Sequence, residues 1–382
     1  MLERFSLLFL CFVYTCVLAA HSKDVLFELV NTSCEGSHND FSAQLHVNHF
    51  QEAATYIDWK KKPRGVKAKP SIGQNAYVIS LTTWPPRTKK GTQGIWLTIE
   101  SLMRQSVKPD RIILWLSLKE YPDGLANVPQ TLIDLQNRGL EIIFVPENEG
   151  AAKKLLPALR AQLKANIITV DDDIIYPKDW LKAFIASHRA HPHAVHAIAR
   201  CELKVMNGVL QPYNRGNDRC TDKGANSNDL GKVTDLPLGC LGILYPYDAS
   251  GRTYHGLDKR VLETCHLRFS FKTDDLWFYV CRLLAGTPLR LFGQGGPMKG
   301  YAAFCELSQP LWWFNVVQEQ NDVILKQLLE ALPKLGQLLD LDLSKPQCID
   351  LNPVPSSGSY WRRLRYKVRL YCKKWVAKFA IV

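Results

Sequence analysis

At 382 residues with 46% hydrophobic and 10% aromatic content, the chain can bury one large core or two modest ones, which excludes disorder over most of its length. Its net charge of +12 invites a nucleic-acid footprint, but the excess sits in two short segments: Lys60 to Lys69 has six basic residues and no acid, and Tyr360 to Val382 has eight and no acid. Without them, 34 basic residues face 36 acidic ones, so the body is near neutral and a broad phosphate-binding surface for a specific nucleic acid is excluded.

In chain order, Phe5 to Ala20 is an apolar run of 16 residues followed by the polar "HSKD". It is shorter than the roughly 20 residues a spanning helix wants, and Val17-Leu18-Ala19 resembles a small-residue cleavage site. Residues 1–21 therefore read as a signal peptide or membrane anchor, with a buried first helix as the bland alternative. The eleven cysteines include no C-x-x-C pair and specify neither a metal site nor a disulfide framework. Asn31-Thr32-Ser33 fits a glycosylation sequon, a pattern too common to weigh much. Residues 22–75 end in the basic, Pro-containing "KKKPRGVKAKP" and read as a leading segment and linker.

From Ala76 to Val170 short apolar runs alternate with helical patterns. Ala76–Leu81, Arg111–Leu116, Glu141–Val145 and Asn166–Val170 look like buried parallel strands, and Ile95–Arg104, Pro129–Asn137 and Ala151–Leu163 like the helices between them. Repeating strand-helix units predict an α/β fold: a Rossmann-like, mostly parallel sheet with helices on both faces. Ligands of such sheets bind at the carboxyl ends of the strands. The expected domain runs from 76 to 335, with a separate C-terminal segment over 336–382.

At the end of the fourth strand stand Asp171, Asp172 and Asp173. Three crowded carboxylates raise one another's pKa unless a cation or hydrogen-bond donors compensate. A divalent metal is the simplest compensator, since carboxylate oxygens suit Mg²⁺ or Mn²⁺ and leave sites for substrate phosphate oxygens. The bland reading is an acidic helix start ahead of "PKDWLKAFIASHRA", where one Asp would suffice as a cap.

The blocks "YVISLTTWPPR", "PDRIILWLS", "KKLLPAL", "ITVDDDIIYPKDWL", "GILYP" and "TDDLWF", in that order, resemble bacterial surface-polysaccharide glycosyltransferases of the GT-A type (family 2-like). A looser similarity to exostosin-type catalytic domains rests on the triple Asp and the later Asp-Asp. The resemblance spans about Ala76 to Leu335 and includes Asn315 and Asn321-Asp322 downstream. It implies a metal-dependent enzyme that moves a sugar from a nucleotide-sugar donor to a hydroxyl of a glycan or lipid-linked acceptor, in surface polysaccharide or glycoconjugate synthesis.

By that resemblance Asp171 and Asp173 are the metal-side pair, holding Mn²⁺ or Mg²⁺ against the donor's two phosphates, and Asp172 points to the ribose or sugar. Thr82, Thr83 and Arg87 frame the nucleotide, Arg87 with a permanent fork of donors. Lys153 and Lys154 match a block that meets the diphosphate or base; adjacent helical lysines diverge, so one at most would do so. Asp275 is the expected base for the acceptor hydroxyl with Asp274 in support, although a helix cap would explain one of them. Gly239 and Gly242 let backbone approach a sugar, and Tyr245 would stack on its apolar face, where a plain buried strand is the competing reading. The cluster "HRAHPHAVH" reads as solvated or structural.

The tail from Tyr360 interleaves cations with aromatic and aliphatic residues, a composition suited to an anionic membrane surface. That predicts a membrane-associated enzyme with its catalytic domain on the cytoplasmic side; the secretory lumen or export is the alternative. Two rival functions remain: a Mg²⁺-dependent phosphatase of the haloacid-dehalogenase type and a non-catalytic sugar-binding membrane protein. The first wants its Asp-x-Asp after the first strand; the second would be expected to lose carboxylates that are intact here.

Overall fold

The computed structural model describes residues 59, 61–67, 73, 75–88, 94–213, 220–221, 229–263, 273–293, 302–303, 320–345 and 347. The N-terminal apolar run, the sequon, Asn315 and the basic tail lie outside the described residues. Among the described residues, no helix is long and apolar enough to cross a membrane.

The four apolar runs form β1 (Tyr77–Thr82), β2 (Arg111–Ser117), β3 (Leu140–Val145) and β4 (Asn166–Thr169), followed by the short β5 (Ile174–Ile175). β6 (Val195–Glu202) comes next, then the hairpin of β7 (Val205–Met206) and β8 (Val209–Leu210), and then β9 (Cys220–Thr221), β10 (Asp229–Leu230) and the long β11 (Asp235–Tyr245). β12 (Leu289–Leu291) and β13 (Ala302–Ala303) complete the set. The main sheet runs β10-β12-β6-β11-β4-β1-β2-β3, with β9 on β6, while β13 pairs β5 separately. β1 to β4 are mutually parallel neighbours, as the alternation of runs predicts. β11 is antiparallel to both β4 and β6, an inversion the sequence reading did not contain.

Helices cover both faces. On one side lie α1 (Gly94–Met103), α2 (Gln130–Ile133, continued as a tight turn to Arg138) and α4 (Trp180–Ala190), packed on the side chains of Ile79, Leu81, Leu114 and Ile168. On the other lie α3 (Leu156–Arg160), α5 (Asp274–Leu284) and α6 (Gln320–Ala331), packed on Val78, Ile113, Ile167 and Ile243. Residues alternate between the two cores along each strand, as side-chain period two requires.

The expected helix over 151–163 is broken. Gly150–Lys154 is a 3₁₀ turn, and α3 starts only at Leu156. Pro157 sits in the first turn of α3, where its missing N–H costs nothing, and it could not have continued a helix entering from Lys153. At the other end α7 (Pro333–Leu338) follows α6, and its Leu335, with Leu339 just after it, enters the same core as α5, so the packed body extends past residue 335. Cys201 of β6 is disulfide-bonded, and its register partner across the sheet is Cys220 of β9.

Candidate active site

β1, β2, β3 and β4 end on the same rim, and the connections leaving them carry most of the predicted site residues. β4 stops at Thr169, and the backbone N–H of Val170 still reaches Ser80 O (3.1 Å) before the triplet peels away. Asp171, Asp172 and Asp173 then take three different surroundings. Asp172 points inward: its Oδ2 accepts Thr83 Oγ1 (2.5 Å), its Oδ1 pairs with Arg87, and its carbonyl accepts Thr98 Oγ1 (3.0 Å). Asp173 Oδ2 meets the other arm of Arg87 at 2.9 Å, and Asp171 Oδ1 accepts Lys154 Nζ at 2.8 Å.

The compensation asked of a metal is thus largely supplied by the chain itself. Arg87 pairs with both Asp172 and Asp173 and so braces the triplet. Thr82 Oγ1 is likewise engaged, on Trp115 O of β2 at 2.8 Å. Both lysines are buried, although on a helix the two would diverge. Lys153 is 1% exposed and pairs with Glu120, with Asn148 Oδ1 at 2.8 Å. Burial holds its pKa below the ordinary value, with Glu120 opposing.

Lys154 joins the two predicted carboxylate clusters. Its Nζ lies 2.8 Å from Asp171 and 2.9 Å from Asp274 Oδ2, and these two charges, with Asp275, hold its pKa well above the ordinary value despite burial. Asp274 and Asp275 open α5. Neither reaches the site by chance: the helix N-terminus favours negative charge there, and no side-chain cap bond closes the turn at Thr273. Asp275 Oδ2 accepts the Gly239 N–H at 3.1 Å, and its buried Oδ1 has no hydrogen-bond partner among the described residues. Burial, then the Asp274 charge, pushes the Asp275 carboxyl up to about 7. Burial also lifts Asp173, to about 6, with Arg87 opposing.

Gly239 explains why these groups can meet. A Cβ there would stand 2.7 Å from Asp275 Oδ1 and 2.9 Å from Lys154 Nζ, so any side chain would displace one or both groups. It lies in the irregular stretch of β11 between Leu238 and Ile243, where the register with β6 shifts. Cys240 is next along the strand, its carbonyl accepting Tyr176 OH at 3.1 Å while that same hydroxyl accepts the Asp171 N–H at 3.0 Å.

Two acceptor-side expectations are corrected. Gly242 has φ +97°, and a Cβ there would meet Trp180 at 2.7 Å, so its lack of a side chain admits the α4 aromatics and no sugar. Tyr245 is 2% exposed and packs edge-on to Phe278 with ring centroids 6.1 Å apart. β11 runs antiparallel to β4, so its last residue falls beside Ile167, toward the opposite rim. Two histidines of the cluster are buried and structural: His188 hydrogen-bonds Tyr77 OH at 3.0 Å, and burial pushes His188 down to about 4 and His196 to about 3, while His193 is exposed.

Two residues missed from sequence, Glu120 and Asn148, share one signal, a position just past a strand end. Glu120 and Asn148 come after β2 and β3 and fix Lys153. Asp322 of α6 accepts the Tyr213 N–H at 2.7 Å, bringing that residue near Asp275. As a metal site the triplet offers oxygen donors only: Asp171 and Asp173 have side chains 31% and 26% exposed, against 8% for Asp172. Among the described residues no group of three or more ligating side chains is assembled. Two accessible carboxylates suit a hard divalent ion that completes its shell with water and phosphate oxygens, so the residues fit such an ion.

The family described as "Glycosyl transferase family 2" matches residues 90–245, which include the triplet, both lysines and Gly239. No curated protein matches the chain significantly. Among solved structures, Staphylococcus aureus TarS 1-349 aligns at 16% identity over 69% of this chain and 69% of that one, with TM-score 0.41. The same fragment in complex with UDP-GlcNAc aligns at 15% identity over 69% of this chain and 70% of that one, with TM-score 0.41.

Proposed function

We infer that this chain, a glycosyltransferase whose residues 90–245 match a family 2 domain, transfers a sugar from a nucleoside-diphosphate donor to a hydroxyl of a glycan or lipid-linked acceptor, with Asp275 as base. The observation that carries this reading is the meeting of the Asp171–Asp173 triplet and the Asp274–Asp275 pair on Lys154. One carboxylate group faces the donor phosphates while the other waits, protonatable near neutrality, for an acceptor proton.

The roles come from the charges. Asp275 near 7 is matched to abstracting a proton at physiological pH, and its unpartnered Oδ1 is the atom that would receive it. Gly239 N–H holds Oδ2 so that Oδ1 stays oriented. Lys154 screens the pair from the triplet, which lets both groups of carboxylates occupy one crevice. Arg87 fixes the triplet's shape, and Lys153 with Glu120 forms a buried floor beside it.

Enzymes of this family generally use a divalent ion. Asp171 and Asp173 would hold it, Mn²⁺ or Mg²⁺, and when bound it supplies charge neutralisation for the departing diphosphate. The phosphatase alternative loses ground because the triplet comes after the fourth strand in chain order and a second carboxylate pair faces it. As for compartment, the disulfide at Cys201 supports the oxidising side of a membrane, the secretory lumen or the exterior, over the cytoplasmic side.

The test is nucleotide release from UDP-, GDP-, CMP- and dTDP-sugars, with Mn²⁺ and with chelator, for the unmodified chain and Asp173→Ala. Metal-dependent release from one donor, lost in the variant, is the expected result. Release that chelator leaves untouched would remove the metal from this reading, and no binding of any donor would remove the reading itself.

A further inference from the structure

The rim opposite the crevice, where β1, β2, β3, β4, β6 and β12 all begin, has a charge pattern that catalysis does not use. The basic segment that reads as a linker is docked there. Val66 is buried and donates its N–H to Arg138 O at 2.8 Å, at the start of β3. Arg138 Nε returns to Arg64 O at 2.6 Å, and Arg104 Nη2 reaches the carbonyls of Trp59 at 2.9 Å and Lys62 at 2.6 Å. These bonds hold the strap's backbone on this rim.

Five cations of this rim have no ion-pair partner among the described residues. Lys61, Arg64 and Lys67 are exposed, as are Lys108 just ahead of β2 and Lys164 just ahead of β4, and no ion pair among the described residues engages any of the five. Among the described residues, three acids near the rim are engaged elsewhere: Glu100 by Arg104 and Arg138, Glu141 by Arg111, and Asp110 by the Tyr77 N–H at 2.8 Å. Lys108 Nζ caps the Met103 carbonyl of α1 at 2.5 Å, which accounts for that one residue. Burial lowers its pKa first, and the charges of Arg64 and Arg104 lower it further, a sign that positive charge is crowded here. Helix capping does not account for the strap.

We propose that this rim is a docking face for an anionic lipid surface and that it holds the catalytic crevice facing away from the membrane. The strap cations would sit within a Debye length of lipid headgroups, where each adds attraction. The occupant is a membrane because of where the chain comes from: the apolar run Phe5–Ala20 precedes the strap in sequence, so a chain inserted or anchored there re-enters the domain on the rim that would rest on the bilayer. This inference stands apart from the catalytic reading and survives if that reading fails.

The test is amide hydrogen exchange on the full chain in nanodiscs, neutral phosphatidylcholine against discs containing phosphatidylglycerol. Exchange over residues 61–67 should slow only in the anionic discs and recover at high salt, while peptides over 171–176 stay unchanged. The triple variant Lys61→Gln, Arg64→Gln, Lys67→Gln should lose that protection, with partition falling about fivefold per charge removed, and keep its melting temperature. Equal exchange in both kinds of disc would overturn the proposal. So would protection by heparin or single-stranded RNA where anionic discs give none, since the rim would then serve a soluble polyanion.

Discussion

The triplet after β4 and the pair that opens α5 both crowd carboxylates around Lys154, yet they are neutralised to different degrees. Asp172 has Arg87 and Thr83, Asp173 has the second arm of Arg87, and Asp171 has Lys154. The pair has a share of Lys154 and one backbone N–H. Burial, with the Asp274 charge adding to it and Lys154 opposing, lifts Asp275 to about 7, whereas Asp173, lifted by burial with the Arg87 guanidinium opposing, reaches about 6. In the proposed reading the same residue type serves as a donor-phosphate platform in one place and a base in the other, because burial and the fixed cations differ between the two places.

Removing the proposed base tests this difference most severely. Asp275→Asn keeps the size and the Gly239 contact while abolishing proton acceptance, so sugar transfer should fall by about 10²–10⁴-fold with donor binding within a few-fold of normal. Calorimetric donor binding beside a transfer assay separates the two; equal loss of both would place Asp275 with the donor. Gly239→Ala comes next. Its Cβ would stand 2.7 Å from Asp275 Oδ1, so transfer should drop roughly 10²-fold through misplacement alone, with little change in melting temperature.

Lys154→Met would strip the shared cation from both clusters. Breaking a buried pair leaves uncompensated charge and costs about 3–5 kcal/mol, so the melting temperature should fall by roughly 10 °C. A fall at neutral pH that shrinks as the carboxylates are protonated in acid would confirm that charge, and not lost packing, is the cause.

The pH dependence sharpens the comparison further. Asp275 has a folded pKa raised above its unfolded value, so it binds more protons when folded. Its contribution to stability is fully present below about pH 4 and is lost as pH rises toward 7. Activity runs the other way, because the base must be ionised: kcat/KM should climb about tenfold per unit below pH 7 and level off above it. A plateau beginning near pH 5 would show that the acting base is a carboxylate with ordinary surroundings.

Much of this arrangement is legible in the chain because parallel strands expose it. The runs at β1 to β4 are apolar on both faces, and the residues just past each strand end must lie on the ligand rim, which is enough to bring Thr83, Arg87 and the triplet together. The antiparallel entry of β11 between β4 and β6 is set by long-range pairing, and no local pattern announces it. With β11 placed, Gly239 falls at the site and Gly242 and Tyr245 fall in the core. Charge compensation is hidden for a related reason: Lys153 and Lys154 look like a solvated helix face until Pro157 breaks the helix and turns both inward.

Tyr245 supplies the smallest expected effect and the cleanest check of that inversion. Its phenol is buried against Phe278, below the crevice, in a core that burial and the neighbouring carboxylates keep hostile to ionisation. Tyr245→Phe removes one oxygen and leaves the ring, so transfer should stay within about twofold of normal at all acceptor concentrations. A sugar stacked on that ring would also tolerate the change, which makes Tyr245→Ala the discriminating partner. In the core position the cavity costs about 3–5 kcal/mol and lowers the melting temperature without a selective rise in acceptor KM. A raised acceptor KM at unchanged stability would instead put the ring in the crevice and require β11 to run in a different register beside β4.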